Sequence, residues 1–290
     1  MTAINNLSYF SENLSPKDFK KLSQFIHTRI GIKMPDAKRG MIEGRLRKRL
    51  RALNMETYHA YCEYLFTPEG MRQELQNFID VITTNKTDFF READHFTFLV
   101  EKSFPYLMQH RNSLQPVMIW SAASSSGNEA YTIAMVASEF GENHPRFDYS
   151  ILGTDISTDI LKEAKQAVYP ADEIEPVPMN LRKKYLLRSK NRQKNLVRIG
   201  PALRKKVTFR RLNLIQPDYK IPQMMDIIFC RNVMIYFDKE TQEKLVVRLF
   251  NQLIPGGYLF VGHSEVLHDC RLPLINVAPA VYQKKAGLQK

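Results

Sequence analysis

Four short stretches of the sequence carry residue types that could do chemistry together. Between Val117 and Ala130 the chain reads VMIWSAASSSGNEA, and a second apolar run, ILGTD, ends on Asp155. A carboxylate about 20 residues or more beyond a small-residue loop is placed to accept hydrogen bonds from ribose hydroxyls. Further on, FCRNVMIYFD over Phe229 to Asp238 sets Asn232, Val233 and Tyr236 directly after an apolar run. Upstream, Thr83 to Arg91 (TTNKTDFFR) mixes hydrogen-bonding side chains, among them Asn85 and Thr87, with the Arg91 guanidinium. A nucleoside is the ligand class to which such a set points.

The loop narrows that class. Dinucleotide sites need several glycines where the backbone meets pyrophosphate, and this loop has only Gly127. No GKS or GKT occurs either, which excludes a Walker-type phosphate loop. Serine and alanine still let a nucleoside approach closely, so S-adenosylmethionine (SAM) fits better than NAD, although a plain turn after a strand would read the same way. Enzymes that methylate exocyclic amines commonly carry a Pro-Pro-aromatic element after the fourth strand, where this chain has Asn232-Val233 and then Tyr236. Ser124 to Ser126 lack the G-x-S-x-G surroundings of a nucleophile elbow. His263, His268 and Cys270 have no standard ligand spacing, and no metal is expected.

Elements of alternating type must position these residues. Strands are expected at Val117 to Trp120, Tyr149 to Asp155, Val207 to Leu212, Asp226 to Cys230 and Tyr258 to Gly262, separated by helices, which predicts a mainly parallel α/β sheet. Helices are expected from Asn128 to Phe140, around His95 to Phe104, and before Pro255-Gly256-Gly257, where Leu245, Leu249 and Leu253 share a face. The stretch before the junction reads as helical, with Ser15-Pro16 starting one helix and Gly31 ending it. A second helix spans Lys38 to Leu53. There Ile42, Leu46, Leu50 and Leu53 fall within about 80° of one another and Arg47, Lys48 and Arg51 point away, as a solvated face or a docking face for an acidic helix would. A third runs from Glu69 to Ile82.

Between Tyr169 and Arg211 four prolines and two extended runs, KYLL and NLVRI, joined by RSKNRQK, predict a basic β-hairpin inserted with almost no helix. The formal charge of +12 asks for an acidic partner without choosing among nucleic acid, anionic membrane and acidic protein. Three scattered cysteines, Cys62, Cys230 and Cys270, fit reduced thiols. Neither a signal-like N-terminus nor a membrane-length apolar run occurs, so a cytoplasmic protein is expected.

Taken in order, TTN-x-T-x-FFRE, WSA before the loop, RLNL at Arg211 to Leu214, CRNVMIYFD, and GHSE at Gly262 to Glu265 resemble the chemotaxis receptor methyltransferases of the CheR type, protein-glutamate O-methyltransferases. The resemblance implies a Rossmann-like SAM-dependent methyltransferase domain with a small all-helical N-terminal domain and an inserted antiparallel β-subdomain. The boundaries it implies are 1–82 helical, 83–91 junction, and 92–290 methyltransferase, with the insertion at about 170–210. It places cofactor contacts on Asn85, Thr87, Arg91, Glu129, Asp155, Asn213, Leu214, Asn232 and Val233, and catalytic roles on Arg91 and Tyr236. SAM is the implied cofactor, S-adenosylhomocysteine the product, and the implied partners are receptor helical bundles, with a receptor tail at the hairpin and a monomeric enzyme. The chain departs from the family's G-E-E-P-Y at Asn128 and Ala130. An RNA methyltransferase, suggested by charge, and a non-catalytic SAM-binding adaptor, suggested by Asn128, stand as alternatives.

Overall fold

Ser15, Pro16 and Gly31 bound the first helix as their chemistry requires. In the computed structural model, which describes residues 13–111, 115–267 and 272–286, the Ser15 hydroxyl accepts from Asp18 N at 3.0 Å. Gly31 takes a left-handed φ of 77° and donates to the His27 carbonyl, closing α1 (Pro16–Ile30). Helix α2 (Arg39–Ala52) buries Ile42, Leu46 and Leu50. Next come α3 (Tyr58–Leu65), which the sequence reading missed, then α4 (Pro68–Gln73) and α5 (Leu75–Ile82). The single helix expected from Glu69 to Ile82 is thus broken at Glu74. That buried carboxylate accepts from Arg49 Nε at 2.7 Å, Arg49 Nη2 at 2.8 Å and the Tyr61 hydroxyl at 2.9 Å. Gly70 is required nearby, because a Cβ there would lie 2.0 Å from the Tyr64 carbonyl oxygen.

The chain forms two compact units, residues 1–84 and 85–290. The second opens with α6 (Asp94–Phe98), a π-helical turn over Leu99–Ser103, and α7 (Phe104–His110), so the helix expected around His95 to Phe104 runs further than foreseen. Pro105 lacks the N–H that would reach Glu101, and the widened turn sits just before it. Then follow β1 (Val117–Ala122), α8 (Asn128–Glu142), β2 (Tyr149–Asp155), α9 (Thr158–Gln166), β3 (Val168–Pro170), α10 (Met179–Tyr185), β4 (Leu186–Arg188), β5 (Leu196–Ile199), α11 (Pro201–Arg204), β6 (Val207–Arg211), β7 (Met225–Cys230), α12 (Lys239–Gln252), β8 (Leu253–Val261), β9 (Leu274–Ala278) and β10 (Val281–Lys284).

Seven strands form one sheet in the order β6-β2-β1-β7-β8-β10-β9. The first five are parallel, with Trp120 opposite Leu152 on one side and Ile228 on the other. Strands β9 and β10 add an antiparallel edge the sequence reading did not foresee, and Ile275 and Val277 of β9 are exposed. Phe229 and Phe260 stack at 4.3 Å in the core, where burying such a ring contributes about 1.5–3 kcal/mol. Pro255-Gly256-Gly257 does not follow the helix directly: α12 stops at Gln252, and the glycines lie within β8, where the pairing with β7 slips between Met225 and Ile227. A Cβ on Gly257 would sit 2.8 Å from the Asp226 carbonyl oxygen.

The insertion is a separate three-stranded antiparallel sheet, β3-β5-β4. The expected hairpin is present as β4 against β5, with Leu186 opposite Ile199. Its Lys184-Tyr185 belongs to α10, a basic helix that the proline-rich sequence concealed. Cys62 and Cys230 are buried free thiols, whereas His268 and Cys270 lie outside the described residues. Among the described residues no helix is long and apolar enough to cross a membrane.

Candidate cofactor site at the carboxyl ends of the strands

The small-residue loop between β1 and α8 is tied down through its own backbone. Ser124 N donates to the Thr154 carbonyl at 2.8 Å, Ser125 N to Asp155 Oδ2 at 3.0 Å, and Gly127 N to the Ser124 carbonyl at 3.0 Å. These N–H groups are consumed inside the protein, so they form no nest for a pyrophosphate, in keeping with a phosphate-free nucleoside ligand. Small side chains are needed for the path itself: a Cβ on Gly153 would meet the Phe209 ring at 2.5 Å and Ser124 Oγ at 3.1 Å. Asp155 also accepts from Ser157 N at 3.0 Å, at the start of α9. Asp155 therefore locates both loops, a role the sequence reading did not assign.

The junction meets this loop directly. Ser125 Oγ donates to the Asn85 carbonyl at 2.6 Å, and Phe90 N donates to Thr132 Oγ1 at 3.2 Å, against α8. Thr87 is half-buried in the same segment. Among the described residues, five of the ten non-glycine residues with positive φ surround the site: Phe90, Glu92, Ala123, Ser125 and Asn232. Such conformations cost about 1–3 kcal/mol each and gather where function demands a particular backbone path.

Arg231, at the end of β7, is the electrostatic centre, and the sequence reading missed it. Its side chain is 2% exposed. Nη1 reaches Glu129 Oε2 at 3.1 Å, Nη2 and Nε reach Glu92 Oε2 at 3.0 and 3.3 Å, and Nη2 also donates to the Arg91 carbonyl. Glu129 receives a second bond from Ser121 Oγ at 2.7 Å. Burial pushes the Glu129 carboxyl above the usual range despite Arg231. Burial acts on Glu92 in the same direction, but the Arg231 charge and the bonds from Asn232 and Arg231 outweigh it and hold that carboxyl low. An arginine following six fully buried strand residues had to be paired, and this signal could have revealed it.

Asn232 stands at φ 57°, its Nδ2 on Glu92 Oε1 at 3.2 Å. Val233 follows, and a 3₁₀ turn over Met234–Tyr236 carries the half-buried Tyr236. Leu212 N donates to the Asp155 carbonyl at 2.8 Å, which brings Asn213 and Leu214 to the end of β2. The Arg91 side chain is partly exposed and, among the described residues, its guanidinium makes no hydrogen bond or ion pair. Asn128, the departure from the family pattern, is buried; Ser126 Oγ donates to its Oδ1 at 2.7 Å, and Glu173 lies near the amide. Burial, with Asp172, Glu163 and Asp88 nearby, pushes the Glu173 carboxyl up, so a neutral amide suits this position better than another acid would.

His263, considered above with His268 and Cys270, faces different groups in the structure. Its ring meets that of His95 edge-on at 4.9 Å, and ligand atoms of Glu92, His95 and His263 lie within 4.8 Å of one another. Among the described residues neither ring nitrogen of His95 has a hydrogen-bond partner, and burial, aided by Arg231, lowers its pKa to about 4. The carboxylate of this group is already engaged by Arg231 and Asn232.

The chain matches two family models, the CheR methyltransferase all-alpha domain over residues 17–83 and the CheR methyltransferase SAM-binding domain over residues 85–279. It is 39% identical over 250 residues to chemotaxis protein methyltransferase 2 of Pseudomonas aeruginosa, covering 86% of each chain. It is 36% identical over 275 residues to the chemotaxis protein methyltransferase of Borreliella burgdorferi, covering 94% of this chain and 95% of that one. With its counterpart from Salmonella typhimurium the identity is 38% over 253 residues, covering 87% and 84%. With both family models matched in order and relatives at 36–39% identity over most of their length, the chain belongs to the CheR methyltransferase family, as an enzyme that depends on S-adenosylmethionine.

Proposed function

We propose that the chain methylates glutamate side chains of methyl-accepting chemotaxis receptors, forming methyl esters for sensory adaptation and releasing S-adenosylhomocysteine. The observation that carries this reading is the match to chemotaxis protein methyltransferases over nearly their whole length, joined to a site whose loop keeps no phosphate nest. In this reading Asn85, Thr87, Arg91, Glu129, Asp155, Asn213, Leu214, Asn232 and Val233 hold the cofactor, Arg91 also orients the acceptor, and Tyr236 hydrogen-bonds near the reacting oxygen. Residues 1–82, 83–91 and 92–290 act as helical domain, junction and methyltransferase domain.

When bound, SAM supplies an electrophilic methyl group on a sulfonium. A glutamate with an ordinary pKa of about 4.3 is already a nucleophilic carboxylate at neutral pH, so no general base is required. The protein's work is therefore positioning and exclusion of water. Arg91, without a partner of its own among the described residues, has its donors available for an incoming carboxylate. Glu92 and Glu129 share the single cation Arg231 beside the site, an acidic surrounding that complements a cationic cofactor.

Helix α2, with Arg47 and Arg51 on its outer side, supports docking of acidic receptor helices by charge complementarity. Strands β3 and β4 are the outer strands of the small sheet, and either could take up a receptor tail by strand addition. A monomer acting in the cytoplasm fits this role. The test is incubation with methyl-labelled SAM and receptor-bearing membranes, followed by mild base. Labelled methanol is the expected product of a methyl ester; label resistant to base, or transferred to RNA, would refute the proposal.

A further inference from the structure

Glu265, in the GHSE segment after β8, is only 6% exposed. Its carboxylate accepts three backbone N–H groups: Oε2 takes Asn232 N at 2.7 Å and Gly262 N at 2.8 Å, and Oε1 takes Ile235 N at 3.2 Å. Gly262 belongs to the loop after β8; Asn232 and Ile235 belong to the loop after β7, the neighbouring strand. One anion thus clamps two adjacent strand-end loops. Their approach is close enough that a Cβ on Gly262 would lie 2.6 Å from Asn232 Nδ2 and 2.8 Å from Glu265 Oε2.

We infer that Glu265 is a positioning residue for methyl transfer: by binding Asn232 N it holds Asn232-Val233 against the cofactor, and by binding Ile235 N it sets the turn that presents Tyr236. The inference rests on the roles proposed above for those residues. The division of labour between the two oxygens gives it a specific signature. Asn232 is held in a left-handed conformation at φ 57°, and losing its N–H acceptor frees the loop to relax. In Glu265→Gln the amide oxygen can keep the two N–H groups on the Oε2 side. The amide NH₂ then confronts Ile235 N–H, donor against donor. The damage falls on the residue preceding Tyr236, and turnover suffers before cofactor affinity does. Glu265→Ala removes all three acceptors, and both quantities suffer.

The experiment measures kcat, KM and SAM dissociation constants for Glu265→Gln, Glu265→Ala, Tyr236→Phe and the Glu265→Gln/Tyr236→Phe pair, with melting temperatures to establish that each is folded. A lost bond to a charged group predicts a kcat about tenfold lower in Glu265→Gln, with SAM affinity changed less than about threefold. SAM affinity should fall about tenfold or more in Glu265→Ala. Because Glu265 acts on turnover through Tyr236, the double variant should be no slower than Tyr236→Phe within about twofold. Wild-type kcat in Glu265→Gln, or multiplicative losses in the double variant, would overturn the inference. Wild-type turnover in Tyr236→Phe would instead remove the role proposed for Tyr236, and the inference would then stand or fall on SAM affinity in Glu265→Ala.

Discussion

Replacing Arg231 with methionine keeps an apolar stem in the core while leaving two mostly buried carboxylates, Glu92 and Glu129, without their cation. Each contact, at 3.0 and 3.1 Å, is worth about 5 kcal/mol of Coulomb energy at an effective dielectric of about 20, before desolvation is subtracted. Removing one partner of a buried pair costs about 3–5 kcal/mol. Protonation limits the damage, because moving a carboxyl of pKa about 4.3 to its neutral form costs about 4 kcal/mol at pH 7.5 but only about 1 kcal/mol at pH 5. In the variant both groups have folded-state pKa values above their unfolded ones, so their protonated forms favour folding. That contribution is full below pH about 4.3 and is lost as pH rises through the folded values. Wild-type Glu92 behaves oppositely, since its carboxyl is held low and its contribution disappears as pH falls. Arg231→Met should therefore lose about 3–5 kcal/mol at pH 7.5, or about 6–20 °C in melting temperature, and markedly less at pH 5 relative to wild type. Trp120 is the single tryptophan, fully buried in β1, so its fluorescence follows unfolding of the 85–290 unit. An equal loss at both pH values, or a loss under about 2 °C at pH 7.5, would refute the reasoning.

Tyr236→Phe is expected to lower turnover about tenfold or more while SAM affinity stays nearly intact, measured by initial rates and by calorimetry; matched losses of both would assign Tyr236 to binding. Gly153→Ala must push the Phe209 ring, which stands 2.5 Å from the new methyl, costing about 1–3 kcal/mol in denaturant melts and weakening SAM binding through the adjacent Ser124. Arg49→Met strands Glu74, which is 1% exposed, and should lower the helical unit's melting temperature without changing SAM affinity. Circular dichroism compared with Trp120 fluorescence separates those two units.

Much of the molecule is legible from residues that act locally. Ser15 and Gly31 cap α1 because a hydroxyl acceptor and a left-handed φ are properties of single residues. The five parallel strands announce themselves as apolar runs, and the single glycine of the loop favours a nucleoside over a pyrophosphate ligand. Motif order along the chain likewise pointed to the family. What the sequence could not disclose depends on groups brought together from far apart. Arg231 meets Glu129 across 102 positions and Glu92 across 139, and Glu265 meets Asn232 across 33. The break at Glu74 follows from Arg49, 25 residues earlier, and the antiparallel edge of β9 and β10 from pairing onto β8. Periodicity and capping are read over a few residues, so local sequence determined the elements and the cofactor class. A buried charge must find its counter-charge wherever the topology delivers one, so only the tertiary structure decided which side chains hold the site together.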